Sequence, residues 1–162
     1  MRADAPLARN KPNGRMNVIV LDAYALEAYL NDEVAAADLV EPLLLSGEQV
    51  LIAAVNLAET ADRMIRLNGA VRDELESDLA SLGVTVAEID SASAFDAASL
   101  RAGHYHRARR AVSIADCCAA ALALDRDALL VSSDPALLGM VHDEGGRFLA
   151  LPDSAGNVWS AG

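Results

Sequence analysis

The sequence predicts an α/β fold with a short, mostly parallel central sheet covered by helices, giving three layers. Three observations carry this expectation. Short apolar runs at Asn17–Leu21, Gln49–Ile52, Val84–Val86, Ala128–Val131 and Arg147–Ala150 alternate with stretches of helical spacing. The strand runs are apolar on both faces, as strands buried between two layers must be. The stretches between them are long enough for the crossover helices that parallel neighbours require.

In chain order, residues 1–15 (M-R-A-D-A-P-L-A-R-N-K-P-N-G-R) hold two Pro, a Gly and no apolar period. They read as a flexible leader or expression remnant, with Met16 as the functional start. After the first strand, Asp22 opens A-Y-A-L-E-A-Y-L, a helix. A second helix covers Glu33–Leu45 and stops before Ser46-Gly47. After the second strand, Ala53–Leu67 is a helix that stops at Asn68-Gly69. Val71–Leu82 is amphipathic and stops at Gly83. Ser91–Arg101 is a helix that can run on through an Arg-rich segment. Ser113–Leu124 is another, almost wholly apolar and so buried on most faces. Asp134–His142 is the last, before Gly145-Gly146. No repeat or second domain interrupts 16–151, and 152–162 reads as a polar tail with a lone Trp159, which either docks on a partner or belongs to a loose end.

The 162 residues suit one domain with a full core. Apolar residues make up 53%, yet no run approaches the roughly 20 residues a bilayer span needs. No apolar stretch follows the basic N-terminus in the manner of a secretory signal, so the expected compartment is the cytoplasm. Cys117 and Cys118 are adjacent in an apolar helix; they form no disulfide framework and read as small buried hydrophobes. One lysine, Lys11, lies outside the expected fold. That excludes a P-loop and Schiff-base chemistry. The net charge of −11 does not suit a general nucleic-acid binder, but four of the thirteen basic residues fall within Arg101–Arg110.

Four apolar segments each carry one acid and no base: Asp22 in Met16–Leu26, Glu59 in Gln49–Ala61, Asp116 in Ser113–Leu124 and Asp134 in Ala128–His142. A carboxylate in such surroundings is costly unless capped, paired or metal-bound. Capping explains three of them one at a time. Asp22 can cap the first helix, Ser113-x-x-Asp116 resembles a capping box, and Asp134-Pro135 reads as N-cap followed by Pro at N1. Glu59 sits two turns into its helix and has no cap to make. If the four converge, two of them about 5 Å apart repel by about 3 kcal/mol at an effective dielectric of 20. Such a group calls for protons or a divalent cation. Oxygen donors without Cys/His zinc spacing suit Mg²⁺ or Mn²⁺, and acids around such an ion are a device for cleaving phosphodiesters.

Taken together, V-I-V-L-D22-A-Y-A-L, N-L-A-E59, S-I-A-D116-C-C-A-A-A-L-A and L-L-V-S-S-D134-P-A-L resemble the PIN domain, and more closely the VapC-type toxins of bacterial toxin–antitoxin modules. The resemblance covers residues 16 to about 150. It implies a PIN-like fold and a metal-dependent endoribonuclease whose catalytic and metal-binding acids are Asp22, Glu59, Asp116 and Asp134, around one or two Mg²⁺ or Mn²⁺ ions. Ser132 and Ser113 would support the site. It also implies RNA as substrate, inhibition by a cognate antitoxin protein, and a homodimer, with no membrane association. The chain departs from the family pattern after Asp22, where small hydroxyl residues are common and Ala23-Tyr24 stand instead.

The basic segment R-A-G-H-Y-H-R-A-R-R precedes Asp116 closely, so Arg107, Arg109 and Arg110 are candidates to hold phosphates, with Tyr105 to stack on a base. The same charges equally suit a solvated helix end. His104-x-His106 lacks a third ligand and reads as a loop pair, and His142 as a helix-end residue. Two other functions compete. One is a non-catalytic PIN-like module binding RNA or protein. The other is a haloacid-dehalogenase-like phosphatase, which needs an Asp where Tyr24 stands and a core lysine. No G-x-G-x-x-G supports a Rossmann nucleotide enzyme.

Overall fold

The computed structural model describes residues 17–162. The leader at 1–15 and the start at Met16 lie outside the described residues. Twelve elements follow one another: β1 (Val18–Leu21), α1 (Ala23–Leu30), α2 (Val34–Leu44), β2 (Gln49–Ala53), α3 (Ala54–Asn68), α4 (Arg72–Leu82), β3 (Thr85–Ala87), α5 (Ser91–His104), α6 (Ile114–Asp125), β4 (Leu129–Ser132), α7 (Pro135–Asp143) and β5 (Arg147–Ala150).

The strands form one parallel sheet in the order β3-β2-β1-β4-β5. Val20 at the centre lies opposite Leu51 on one side and Leu130 on the other. Alternation along β1 sends Val20 to one face and Ile19 and Leu21 to the other. The core on the Val20 face is filled by Ala97 of α5, Ala119 and Ala120 of α6 and Leu137 and Met140 of α7. Ile19 and Leu21 meet Leu26 of α1 and Val40 of α2. Each such aliphatic side chain, fully buried, is worth about 1.5–3 kcal/mol. α6 is alanine-rich because it is wedged between the sheet and α5, where its small side chains let backbones approach closely. Cys117 is part of this core, and burial pushes its thiol up to about 11.

α5 stops at His104 and does not continue through the Arg-rich segment. Tyr105 is extended, and Arg101 stacks over its ring at 4.4 Å. The His106 Nδ1 then accepts the amides of Ala108 and Arg109, and backbone bonds between His106 and Arg110 close a turn. A side chain that captures local amides in this way competes with the helix.

The C-terminal segment folds back on the body. Leu151 is buried, and the Pro152 carbonyl accepts the Tyr24 hydroxyl at 3.0 Å. The Asp153 carboxylate gathers the amides of Ala155 and Asn157 into a turn. Trp159 meets Phe148 of β5 edge-on at 5.4 Å and His142 of α7 at 6.2 Å. The tryptophan that the sequence left between a partner and a loose tail therefore packs on its own chain.

Candidate metal centre

In a parallel sheet of this kind the strands all end on one side, and that edge gathers the helix N-termini. Asp22 follows the last residue of β1 directly and N-caps α1, its Oδ1 accepting the Ala25 amide at 2.7 Å. Asp134 follows β4 by one residue and N-caps α7, its Oδ1 accepting the amides of Ala136 and Leu137 at 2.7 and 3.0 Å. α6 runs down into β4, so its first turn lies at the same edge. There Ser113 and Asp116 close a full capping box. Glu59 stands in the second turn of α3, which leaves β2 without an intervening loop. All three aspartates therefore do cap helices, and capping is what brings them to one edge. Capping therefore does not compete with a shared site at that edge.

The four carboxylates feel one another. Asp22, 5% exposed, is pushed up to about 7, chiefly by burial and further by Asp116 and Asp134. Hydrogen bonds from the Ser132 hydroxyl and the Ala25 amide act against that rise. Asp116 is raised by burial and by Asp134, against the pull of the Ser113 cap and of Arg63. Glu59 is raised by burial and by Asp116, with Arg63 opposing. Ser132 is fully buried beside two of the acids: its hydroxyl lowers the Asp22 pKa, and its Oγ accepts the Asp134 amide at 3.0 Å.

The donor set fits a hard divalent cation in an open site. It offers four carboxylates and no competing thiolate or imidazole, and each capping aspartate spends one oxygen on backbone amides. Among the described residues no group of three or more His, Cys, Asp or Glu side chains is placed to hold a metal ion as a ready-made set. Mg²⁺ does not need one, since it keeps several waters and takes one or two carboxylates. Burial close to like charges is also the condition a bound cation relieves.

Tyr24 does not replace the hydroxyls missing after Asp22. Its phenol is spent on Glu33 and the Pro152 carbonyl, and burial with the Glu33 carboxylate pushes it up to about 12. Three nearby residues were not legible as part of the site. Thr60, beside Glu59, bonds to the Ala23 carbonyl and so ties α3 to α1 next to Asp22. Asn56 is 1% exposed, and its Oδ1 has no partner among the described residues. Arg63 pairs with Glu27 of α1 at 2.9 Å. The Glu59–Arg63 spacing of one helical turn was a visible signal for Arg63, but the α1 partner is a tertiary contact.

The basic segment divides in two. Arg107 and Arg109 are exposed on the turn before α6, and neither side chain has a partner among the described residues. Arg110 is held from inside: its Nη1 reaches Asp143 at 2.7 Å and His104 Nδ1 at 3.0 Å, and His104 Nε2 meets Glu144 at 2.6 Å. Tyr105 is partly exposed under Arg101. His104 and His106 face different partners and form no metal pair.

A family model described as PIN domain matches residues 19–140. Among solved structures, VapBC2 from Rickettsia felis bound to a promoter DNA fragment is similar over 83% of this chain and 98% of its own, at 14% identity and TM-score 0.57. FitAcB from Neisseria gonorrhoeae is similar over 80% of this chain and 95% of its own, at 18% identity and TM-score 0.57. VapC20 from Mycobacterium tuberculosis, described as a sarcin-ricin loop cleaving toxin, is similar over 69% of this chain and 86% of its own, at 18% identity and TM-score 0.55. These likenesses are of fold. No protein of curated function matches the sequence.

Proposed function

Because the chain belongs to the PIN-domain family, we propose that it is a divalent-metal-dependent endoribonuclease and the toxin of a toxin–antitoxin pair. The observation that supports this most is the gathering of Asp22, Glu59, Asp116 and Asp134 at one sheet edge, with Asp22 pushed up to about 7 by burial and by its neighbours' charge. Mg²⁺ or Mn²⁺ held there would polarise a phosphate and activate a water for attack on phosphorus. Asp22, Asp116 and Asp134 would hold the ion from three rigid helix starts. Ser132 fixes the Asp22 carboxylate and the Asp134 backbone together, and Ser113 fixes Asp116. Glu59, raised by burial and by Asp116, suits a proton acceptor as well as a metal ligand. Arg107 and Arg109 would draw in the RNA backbone, Tyr105 would stack on a base, and Arg110 would act by holding their turn in place.

The partners follow from the same reading. The structures similar to this one include toxin–antitoxin complexes, and an acidic site in a chain of net charge −11 suits a basic antitoxin segment. A homodimer is the simplest cover for the exposed apolar side chains of Phe95 and Ile114. No described helix is long and apolar enough to cross a membrane.

The deciding experiment is cleavage of single-stranded RNA in Mg²⁺ by the wild type and by Asp116→Asn, with and without EDTA. Loss of cleavage in both tests is the expected result. Cleavage that survives either one overturns the metal-centre reading. A folded wild type that binds RNA without cutting it would support the non-catalytic module instead.

A further inference from the structure

Four carboxylates repel the strand they are to cut, so the site needs a cation of its own beside the metal. We propose that Arg63 is that cation: a substrate-binding residue that grips a phosphate of the RNA strand beside the acidic site. The proposal rests on the nuclease reading and names how the same site holds its substrate.

Arg63 lies one turn beyond Glu59 on the same face of α3. Its Nη1 donates to Glu27 Oε2 at 2.9 Å, and Glu27 belongs to α1, the helix that Asp22 caps. The pair therefore fixes the guanidinium between the two helices that carry Asp22 and Glu59. The side chain of Arg63 is 43% exposed, that of Glu27 18%. A guanidinium carries five N–H donors in a rigid fork. Nη1 is engaged, while Nε and Nη2 have no protein acceptor among the described residues. Its charge is felt by three of the four acids: it holds Glu59 and Asp116 down, and Asp22 and Glu59 help to hold it protonated. A purely structural ion pair accounts for the Glu27 contact. It does not account for a pre-oriented, half-exposed fork with donors to spare at the rim of an anionic site, which is the geometry for bidentate phosphate.

The test is binding of a fluorescent single-stranded RNA to the Asp116→Asn protein, which leaves the strand intact, over a range of salt. Arg63→Gln should weaken binding about tenfold and reduce the salt slope by about 0.7, the share of one phosphate contact on a single strand. Arg63→Lys should restore the slope but not the full affinity. Glu27→Gln breaks the same ion pair and keeps the arginine, so it should preserve the slope. Mg²⁺ affinity, read by calorimetry on Arg63→Gln in the otherwise wild-type chain, should stay level or rise, because a nearby positive charge has gone. An unchanged salt slope in Arg63→Gln, or equal losses in Arg63→Gln and Glu27→Gln, would overturn the proposal. Failure of the unsubstituted protein to bind or cut RNA is a separate result, and it would take down the nuclease reading itself.

Discussion

Ser113 and Asp116 hold each other at both ends: the Asp116 amide donates to Ser113 Oγ at 3.0 Å, and the Ser113 amide donates to Asp116 Oδ2 at 2.7 Å. The box fixes the start of α6 and leaves Asp116 Oδ1 without a protein partner among the described residues. Structure and chemistry therefore separate by substitution. Asp116→Asn keeps an acceptor for the Ser113 amide, so stability should change by less than about 1 kcal/mol, while RNA cleavage falls by about a hundredfold or more. Ser113→Ala should do the reverse, costing about 1 kcal/mol and leaving most of the activity. Thermal unfolding measured alongside cleavage checks both, and matching losses in the two variants would refute the separation.

Asp22 sets a pH dependence with a definite sign. Its pKa rises from 3.8 in the unfolded chain to about 7 in the fold. Between those values the native state binds the extra proton, so metal-free stability falls as pH rises through that window and levels off above it. The loss from this one group is at most about 4 kcal/mol. Burial raises Asp116 and Glu59 in the same direction. Thermal unfolding in EDTA from pH 4 to 8 should show the decline, and Asp22→Asn should flatten much of it. Added Mg²⁺ should stabilise most at the high end, where the carboxylates are ionised. A wild type whose metal-free stability climbs from pH 5 to 7 as steeply as that of Asp22→Asn would show that Asp22 is not held up by burial.

How much of this was legible follows from which interactions are local. Asp22, Asp116 and Asp134 stood out because each is the lone charge in an apolar run, and their caps reach only two or three residues along the chain. The strands and most helix boundaries were readable for the same reason. The end of α5 was not, because the stop at Tyr105 depends on His106 capturing amides and on Arg101 stacking, neither of which a helical period reveals. Arg63 was hidden by its dependence on Glu27, 36 residues away. Trp159 was ambiguous because its partners, Phe148 and His142, are meaningful only once β5 and α7 are packed.

Ser132 carries a prediction of its own. Its hydroxyl lowers the Asp22 pKa and accepts the Asp134 amide. Ser132→Ala should push Asp22 higher still, so the acid limb of the pH–rate profile should move to higher pH. The buried Asp134 amide would lose its partner at a cost of about 1–3 kcal/mol. Ser132→Thr keeps the hydroxyl and should hold the acid limb near the wild-type position. An unmoved acid limb in Ser132→Ala would mean that the hydroxyl does not tune Asp22.

The turn before α6 separates binding from scaffolding. Arg107→Ala with Arg109→Ala removes two exposed charges that have no partner among the described residues, so unfolding should barely change while RNA affinity and its salt dependence fall. Arg110→Ala breaks the contacts to Asp143 and His104 and should lower the melting temperature as well. If the double variant binds RNA as well as the wild type at every salt concentration, the turn has no part in holding the strand.

Gly146 tests the packing at the end of the molecule away from the acids. A Cβ there would lie 2.6 Å from Val141 Cγ1 and 2.8 Å from Leu124 Cδ2, with the Val141 carbonyl at 3.2 Å. Leu124 is half-buried beside an open cavity and can give way, but Val141 is fully buried and its carbonyl is fixed in α7, so the clash with Val141 remains. Gly146→Ala should therefore cost about 1–3 kcal/mol through overpacking. Gly47→Ala meets no atom within 4 Å but sits at φ +77, so its cost, about 1 kcal/mol, is backbone strain alone. The two glycines respond differently to a second change. Val141→Ala opens the space that a Cβ at 146 needs, so it should recover part of the Gly146→Ala loss and none of the Gly47→Ala loss. Denaturant unfolding of the two double variants measures this coupling, and strict additivity at 146 would show that the clash is absorbed elsewhere.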